Sequence, residues 1–386
     1  MTWKETCAMD QRVQMIGDWL KSEHSVSELG EHYQVSRKTV YKWISRYEAG
    51  GIEALQEGSC APHRHPNATG AEITSDIIDT KLRHINWGPK KVVSLLKRQY
   101  PEQPWPAIST AQSILRKEGL VKPRKHRRHT PAFTRPFQAC MKPNDSWSID
   151  YKGQFRTGDG KLCYPLTITD NYSRYLLTCR ALRHPNYEAT RRYLERALQE
   201  YGMPLAIKSD NGSPFASTGI GGLSRLGVWL IRLQIMPERI ALSHPEQNGR
   251  HERMHRTLKE AVCKSPRSCL RGQQLAFDHF RPEYNQKRPH EALGMKTPAS
   301  LYQTSPRLFP TRLAPVEYDS WMAVRRVMDS GCIKWKGNFI YISQALAGEL
   351  VGLKQTGDTT WEVWFSFFLL GILDENKEKV LPMSPV

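Results

Sequence analysis

Acidic residues are in short supply in this 386-residue chain: 38 Asp and Glu stand against 56 Lys and Arg, for a formal charge of +18. That imbalance argues against a small acidic ligand as the main partner and favours a polyanion such as nucleic acid, although a merely solvated basic surface would look the same. Long apolar runs are missing as well. The longest, Trp364 to Leu373, falls well short of the roughly 20 residues a membrane helix needs. The opening stretch MTWKETCAMDQRVQ has no signal-peptide core. A soluble, cytoplasmic protein with no membrane partner is therefore expected. Paired cysteines are also lacking, since the eight present are scattered without a CxxC, which points to reduced thiols and away from a structural zinc site. The length exceeds one ordinary domain, so two to four modules are expected.

From Ser22 to Gly51 the chain reads as a short helix VSELGEHY, a turn QVS and a second helix RKTVYKWISRYEAGG. Ser36 is a good N-cap, Val40, Ile44 and Tyr47 recur at helical spacing, and Gly50 is a stop signal. Such a helix-turn-helix would turn Arg37, Lys38, Tyr41 and Lys42 outward, a set that can reach phosphates and base edges in a major groove. A three-helix protein-interaction module fits the same pattern. A second unit, from Trp87 to Arg128, repeats helix, proline-rich turn PEQPWPA and helix, closing at Gly119; a second helix-turn-helix, with or without a wing, is expected. KPRKHRRHTPAFTRP then carries no carboxylate, so Lys125, Arg127 and Arg128 would track a phosphate backbone unless the stretch is a passive tether.

At Trp147 the pattern changes to alternating strands and helices. WSIDYKGQF puts Trp147, Ile149 and Tyr151 on one face and Ser148, Asp150 and Lys152 on the other, as a half-buried strand does. LCYPLTIT and YLLTCRAL would complete an antiparallel meander. Helix YEATRRYLERALQEYG, strand PLAIKSD, a helix through LSRLGVWLIRL, a short strand RIAL and a long basic helix from about Gln247 follow. The order β-β-β-α-β-α-β-α predicts an α/β mixed sheet with flanking helices. Past Pro310 a brief helical period at WMAVRRVM gives way to five short strands that suggest a small β-barrel, in which Lys334, Lys336 and Lys354 could contact DNA or, equally, the barrel could dock protein. The expected modules span 1–58, 66–122, a basic linker 123–143, an α/β domain 144–304 and the barrel 318–380.

Three carboxylates fall where strands and a helix would bring them to one sheet edge: Asp150 within a strand, Asp210 at a strand end and Glu252 on the long helix. Each alone is weak, because Asp210-Asn211-Gly212 is also a common turn and Asp150 could be an ordinary polar strand residue. The stretches WSIDYKGQF, IKSDNGSPF, SHPEQNGRHERMHRTLK and YNQKRPHEALGMKTPASLY together resemble the signature blocks of bacterial insertion-sequence transposases in the retroviral-integrase-like DDE superfamily. The resemblance runs along the whole chain in order. It implies a ribonuclease H-like catalytic domain flanked by N-terminal helix-turn-helix units and a C-terminal barrel. It further implies that Asp150, Asp210 and Glu252 hold two Mg²⁺ ions, with Mn²⁺ able to substitute.

The family's usual spacing from second to third carboxylate fits Glu246, six residues before Glu252. Glu252 is preferred, because P-x-x-N-G-x-x-E-x-x-x-x-x-L-K places it inside the helix and GIGGLSRL can absorb an insertion. Ser243-His244-Pro245-Glu246 reads instead as a capping box. Glu252, Arg256 and Lys259 share one helical stripe, aiming two cations at DNA beside the metal site, unless Glu252 and Arg256 are an ordinary surface pair. Asn211 would shape the loop of Asp210, and Asn248 and Gly249 a loop beside Glu252. His251-Glu252-Arg253-Met254-His255 also matches the zinc-peptidase pattern H-E-x-x-H, but the surrounding Arg250, Arg253, Arg256 and Lys259 would repel a zinc dication.

Crowded carboxylates repel one another and welcome divalent cations. Two metals about 3.5–4 Å apart can activate a water or 3′ hydroxyl on one side of a phosphate and stabilise the leaving oxygen on the other. The expected partners are double-stranded DNA, as element ends and as target, and further copies of the chain in a dimer or larger assembly. A regulator that binds the element ends without cutting them is the alternative.

Overall fold

The structure, a computed structural model, describes residues 7–58, 68–121, 140–217, 222–239 and 249–382. The chain divides into two compact units, residues 1–68 and 69–386. In the first, α1 (Ala8–Leu20), α2 (Val26–His32) and α3 (Arg37–Gly50) bury Met15, Ile16, Leu29, Val40, Trp43 and Ile44 between them. Both helix starts of the expected pair are locally encoded. Ser25 accepts from the Glu28 N–H at 3.3 Å while the Glu28 carboxylate accepts from the Ser25 N–H at 2.7 Å, and Ser36 accepts from the Thr39 N–H at 3.2 Å. The turn between α2 and α3 is so tight that a Cβ on Gly30 would lie 2.9 Å from the Val35 carbonyl oxygen. The stop is Gly51, at φ +67°, one residue past the expected Gly50. α1, a third helix packed with this pair, starts at Cys7, whose N–H donates to the Asp10 carboxylate at 3.1 Å.

The second unit begins with α4 (Ala71–Arg83), α5 (Pro89–Gln99) and α6 (Ile108–Lys117), packed around Ile77, Trp87, Val92, Leu96, Ala111 and Leu115. No strand occurs among the described residues 68–121, so the wing left open by the sequence is not seen there. The basic stretch with Lys125, Arg127 and Arg128 lies outside the described residues.

The mixed sheet is built from β1 (Ser146–Tyr151), β2 (Phe155–Arg156), β3 (Leu162–Asp170), β4 (Leu176–Leu182), β5 (Ala206–Ser209) and β6 (Met236–Arg239). β1 lies between antiparallel β3 and parallel β5, β4 pairs with β3, and β6 forms the far edge. On one face Trp147, Ile149, Leu166 and Ile168 meet α7 (Tyr187–Tyr201) and α8 (Arg225–Arg232). On the other, Cys163, Leu176 and Cys179 meet α9 (Gly249–Leu258) and α10 (Leu270–Pro282). One expectation changes here. β1 is covered on both faces, with Ser148 only 3% exposed, so it is not half-buried. The described part of the last core strand is MPER, and of the expected strand RIAL only Arg239 falls among the described residues, 240–248 lying outside them; among the described residues β6 pairs on one side only, which suits Pro237.

Beyond residue 310 the helical period at WMAVRRVM proves to be a strand, β7 (Ala323–Arg326), because pairing with a distant partner outweighs the local pattern. β8 (Cys332–Trp335) and β9 (Asn338–Tyr341) form a hairpin. β10 (Leu350–Gln355), β11 (Thr360–Phe365), β12 (Phe368–Asp374) and β13 (Lys379–Leu381) continue an antiparallel sheet ordered β13-β12-β11-β10-β7. No ladder among the described residues joins β13 to β7; the described strands form a five-stranded sheet and a separate hairpin, without a continuous ladder closing the expected small barrel. It packs on α8 through Leu223, Val228 and Ile231, and Arg232 donates to both Glu349 oxygens at 3.0 and 2.8 Å. Of its expected DNA-facing lysines, Lys336 and Lys354 are paired, with Glu375 at 2.8 Å and Glu362 at 3.9 Å.

Candidate active site

β1 and β5 run parallel in the register Ser146↔Ala206, Trp147↔Ile207 and Ser148↔Lys208. Asp150 stands two residues further along β1 and Asp210 one residue past the end of β5, so both lie near the carboxyl ends of adjacent parallel strands. Side-chain alternation puts Asp150 on the α9 face, opposite the Ile149 that enters the core under α7 and α8. The Asp210 carboxylate accepts from the Gly212 N–H at 3.1 Å, an Asx turn, and burial raises its pKa against that one opposing bond. A Cβ on Gly212 would approach Asp210 Oδ2 to 3.1 Å, which explains the glycine. Asn211 is exposed between them.

α9 is fixed to the sheet by its two histidines. Thr167 lies directly across from Asp150 on β3. Its hydroxyl sits 2.8 Å from His251 Nε2, 2.7 Å from His255 Nε2 and 3.2 Å from the Asp150 carbonyl oxygen, and Thr169 Oγ1 sits 2.8 Å from His251 Nδ1. One proton arrangement satisfies every contact. Thr167 donates to the Asp150 carbonyl and accepts from both Nε2–H groups, while Thr169 donates to His251 Nδ1. His255 Nδ1 is then left 3.9 Å from Asp150 Oδ2. Both rings are neutral, because burial pushes His251 down to about 3 and His255, beside His251 and Lys152, lower still. This latch was invisible in the sequence, where the same histidines suggested only a zinc helix. The signal that could have found it is a histidine pair at i, i+4 facing threonines at i, i+2 of a strand.

Glu252 follows His251 but is exposed, on a different face of α9 from the buried histidine pair. Arg256 and Lys259 are exposed with it, as the expected stripe requires. The pairing differs: Arg256 Nε lies 3.6 Å from Glu260 Oε1, and a π turn over Lys259–Cys263 bends the spacing after Leu258. Gly249 opens α9, whereas Glu246 and Asn248 lie outside the described residues. In the other unit Arg37, Lys38, Tyr41 and Lys42 are all exposed on α3, Tyr41 by 61%.

Two donor sets meet at Asp150. One ligand atom each from Asp150, His251 and His255 lie within 4.8 Å of one another. Threonine hydroxyls occupy three of the four imidazole nitrogens, which leaves His255 Nδ1 beside the carboxylate. Asp150, Asp210 and Glu252 offer only hard oxygens, the donors that magnesium prefers. The buried, desolvated Asp210 carboxyl is the kind of group a dication would favour in its charged form. Among the described residues the only cluster of three His, Cys, Asp or Glu ligand groups within 4.8 Å is Asp150, His251 and His255, so Asp210 and Glu252 do not join Asp150 in one tight group here.

Residues 141–245 and 233–298 match the integrase core domain, residues 11–59 a helix-turn-helix domain, and residues 322–381 the C-terminal domain of IS481 family transposases. The uncharacterized 31.7 kDa protein of insertion element IS407 from Burkholderia multivorans is 24% identical over 260 residues, 67% of this chain and 90% of that one. The Gag-Pol polyprotein of avian reticuloendotheliosis virus is 26% identical over 122 residues, 32% of this chain, which spans only 10% of that polyprotein. A chain of the simian T-cell lymphotropic virus intasome, solved with PP2A regulatory subunit B56 gamma, superposes at TM-score 0.38 and 17% identity, covering 75% of this chain and 97% of that one.

Proposed function

Since the chain belongs to the insertion-sequence transposases of the DDE/integrase superfamily, we propose that it cuts DNA at the ends of its element and joins the freed 3′ hydroxyls to target DNA. The observation that supports the proposal is the parallel β1–β5 pairing, with Asp150 near the carboxyl end of β1 and Asp210 just past that of β5. Asp150, Asp210 and Glu252 would hold two Mg²⁺ ions, with Mn²⁺ able to substitute. When bound, the metals supply activation of a water or 3′ hydroxyl and stabilisation of the leaving oxygen. The chain's own part is to hold those carboxylates still. Thr167 ties the Asp150 strand to both α9 histidines, so Asp150 and the helix bearing Glu252 move as one body. The Gly212 N–H fixes the Asp210 carboxylate, and Asn211 shapes its loop. α3 reads the element ends through Arg37, Lys38, Tyr41 and Lys42, and Arg256 and Lys259 lie along the DNA path past Glu252. Two ends must be processed together, so a dimer or larger assembly is part of the proposal.

Purified wild type and Asp210→Asn are compared for binding and nicking of labelled duplexes carrying the element ends, with Mg²⁺ or Mn²⁺. The expected result is equal binding, nicks from wild type only, and loss of both metals' effect in the variant. A wild type that binds and never nicks would identify a regulator that does not cut.

A further inference from the structure

α9 has a third face, which bears Arg250, Arg253 and Thr257 and lines a cleft of about 190 Å³ open to solvent. Lys91 of α5, Arg174 of the β3–β4 turn, Arg288 and His290 complete its wall, so five cationic side chains from four chain segments converge, with Glu291 the one acidic lining residue. Of the carboxylates near the cleft, Glu283 also pairs with His84 at 3.1 Å and Glu260 with Arg256 at 3.6 Å. The cations act on one another. Burial and then Arg288 push Lys91 down to about 8, and burial and then Arg250 push Arg174 down to about 10. His290 Nε2 is buried in the same wall with no hydrogen-bond partner.

We propose that this cleft is a phosphodiester-binding site, in which one backbone phosphate of the DNA is clamped between α5 and α9. The proposal rests on the function argued above and adds where the strand is gripped. The lining holds five cations against one carboxylate, and a bound anion balances that excess while forming charge-assisted hydrogen bonds. An anion there also lets His290 Nε2 hold a proton and donate it to a phosphate oxygen. Since Arg253 is the next residue after Glu252, a phosphate held here fixes the strand's position relative to the candidate metal ligands. No base edge is required, so the site binds any sequence.

Two measurements on the full chain test this. Equilibrium binding of element-end duplexes across a salt series is compared for wild type, Lys91→Gln and Arg288→Gln, with thermal melting as the check of folding. Each variant should bind about tenfold more weakly, with the slope of log K against log salt shallower by about 1. Folded variants with wild-type affinity and slope overturn the proposal. Should the variants fail to fold, wild type answers alone: acetic anhydride at pH 8 should acylate Lys91, read by mass spectrometry, and duplex DNA should protect it. Protection by inorganic phosphate and not by DNA, or no protection by either, overturns the proposal. Wild type that binds and nicks DNA while Lys91 stays unprotected sinks this site alone, whereas wild type that never binds DNA sinks the function itself.

Discussion

Replacing Thr167 with valine keeps the shape and the β-branch but removes the one hydroxyl that three groups share. In Thr167→Val, His251 Nε2 and His255 Nε2 lose partners at 2.8 and 2.7 Å, and the Asp150 carbonyl loses a donor at 3.2 Å. His251 retains its bond to Thr169, whereas His255 keeps only Asp150 at 3.9 Å. Both rings are under 7% exposed, so water cannot easily replace the hydroxyl. An unsatisfied buried polar group costs about 1–3 kcal/mol. Two imidazoles therefore cost roughly 2–4 kcal/mol, with most of the loss at His255, and in a unit spanning residues 69–386 the melting temperature should fall by about 3–6 °C. Strand nicking should fall more than DNA binding, because α9 loses its register against Asp150 while α3 is untouched. Thermal melting followed by circular dichroism and a gel nicking assay read the two effects. A variant melting within about 2 °C of wild type with full nicking would show that the latch holds nothing.

Ser36→Ala removes the α3 cap and should cost about 1 kcal/mol, measured by urea unfolding of the first unit's signal, with weaker binding to element ends. Phe277→Ala on α10 empties a site with 0% exposure, and the expected loss is about 3–5 kcal/mol; a change below 1 kcal/mol would contradict its place in the core. Burial holds His290 down at about 3 against an ordinary 6.5, so only the unfolded chain takes up that proton as pH falls. Its stability contribution is whole above pH 6.5 and is lost at about 1.4 kcal/mol per pH unit below it. The stability gap between wild type and His290→Phe should therefore shift by about 2 kcal/mol in the variant's favour from pH 6.5 to pH 5. A gap that stays constant over that range contradicts the buried, neutral ring.

The parts legible in the sequence were those set by local signals. Alternation at Trp147, Ile149 and Tyr151 marked β1 and the capping Ser36 marked α3, while the motif blocks raised Asp150, Asp210 and Glu252 as candidates. What depends on distant pairing was misread. WMAVRRVM has a helical period but becomes β7 through β10. α10 was not anticipated, although Phe277 and Phe280 are central to the second core. The threonine–histidine latch needed the β1–β3 register, in which Asp150 faces Thr167, before its parts could be seen as neighbours. The basic cleft escaped notice for the same reason, since Lys91 and Arg288 lie far apart in sequence and meet only in the fold.

The central claim is that Glu252 completes a metal-binding set with Asp150 and Asp210, and nicking of element-end duplexes by wild type and Glu252→Gln in Mg²⁺ or Mn²⁺ tests it most directly. Nicks from wild type, with none from a variant that still folds and binds DNA, are the predicted result. Normal nicking by Glu252→Gln would contradict the assignment and transfer the third carboxylate to Glu246.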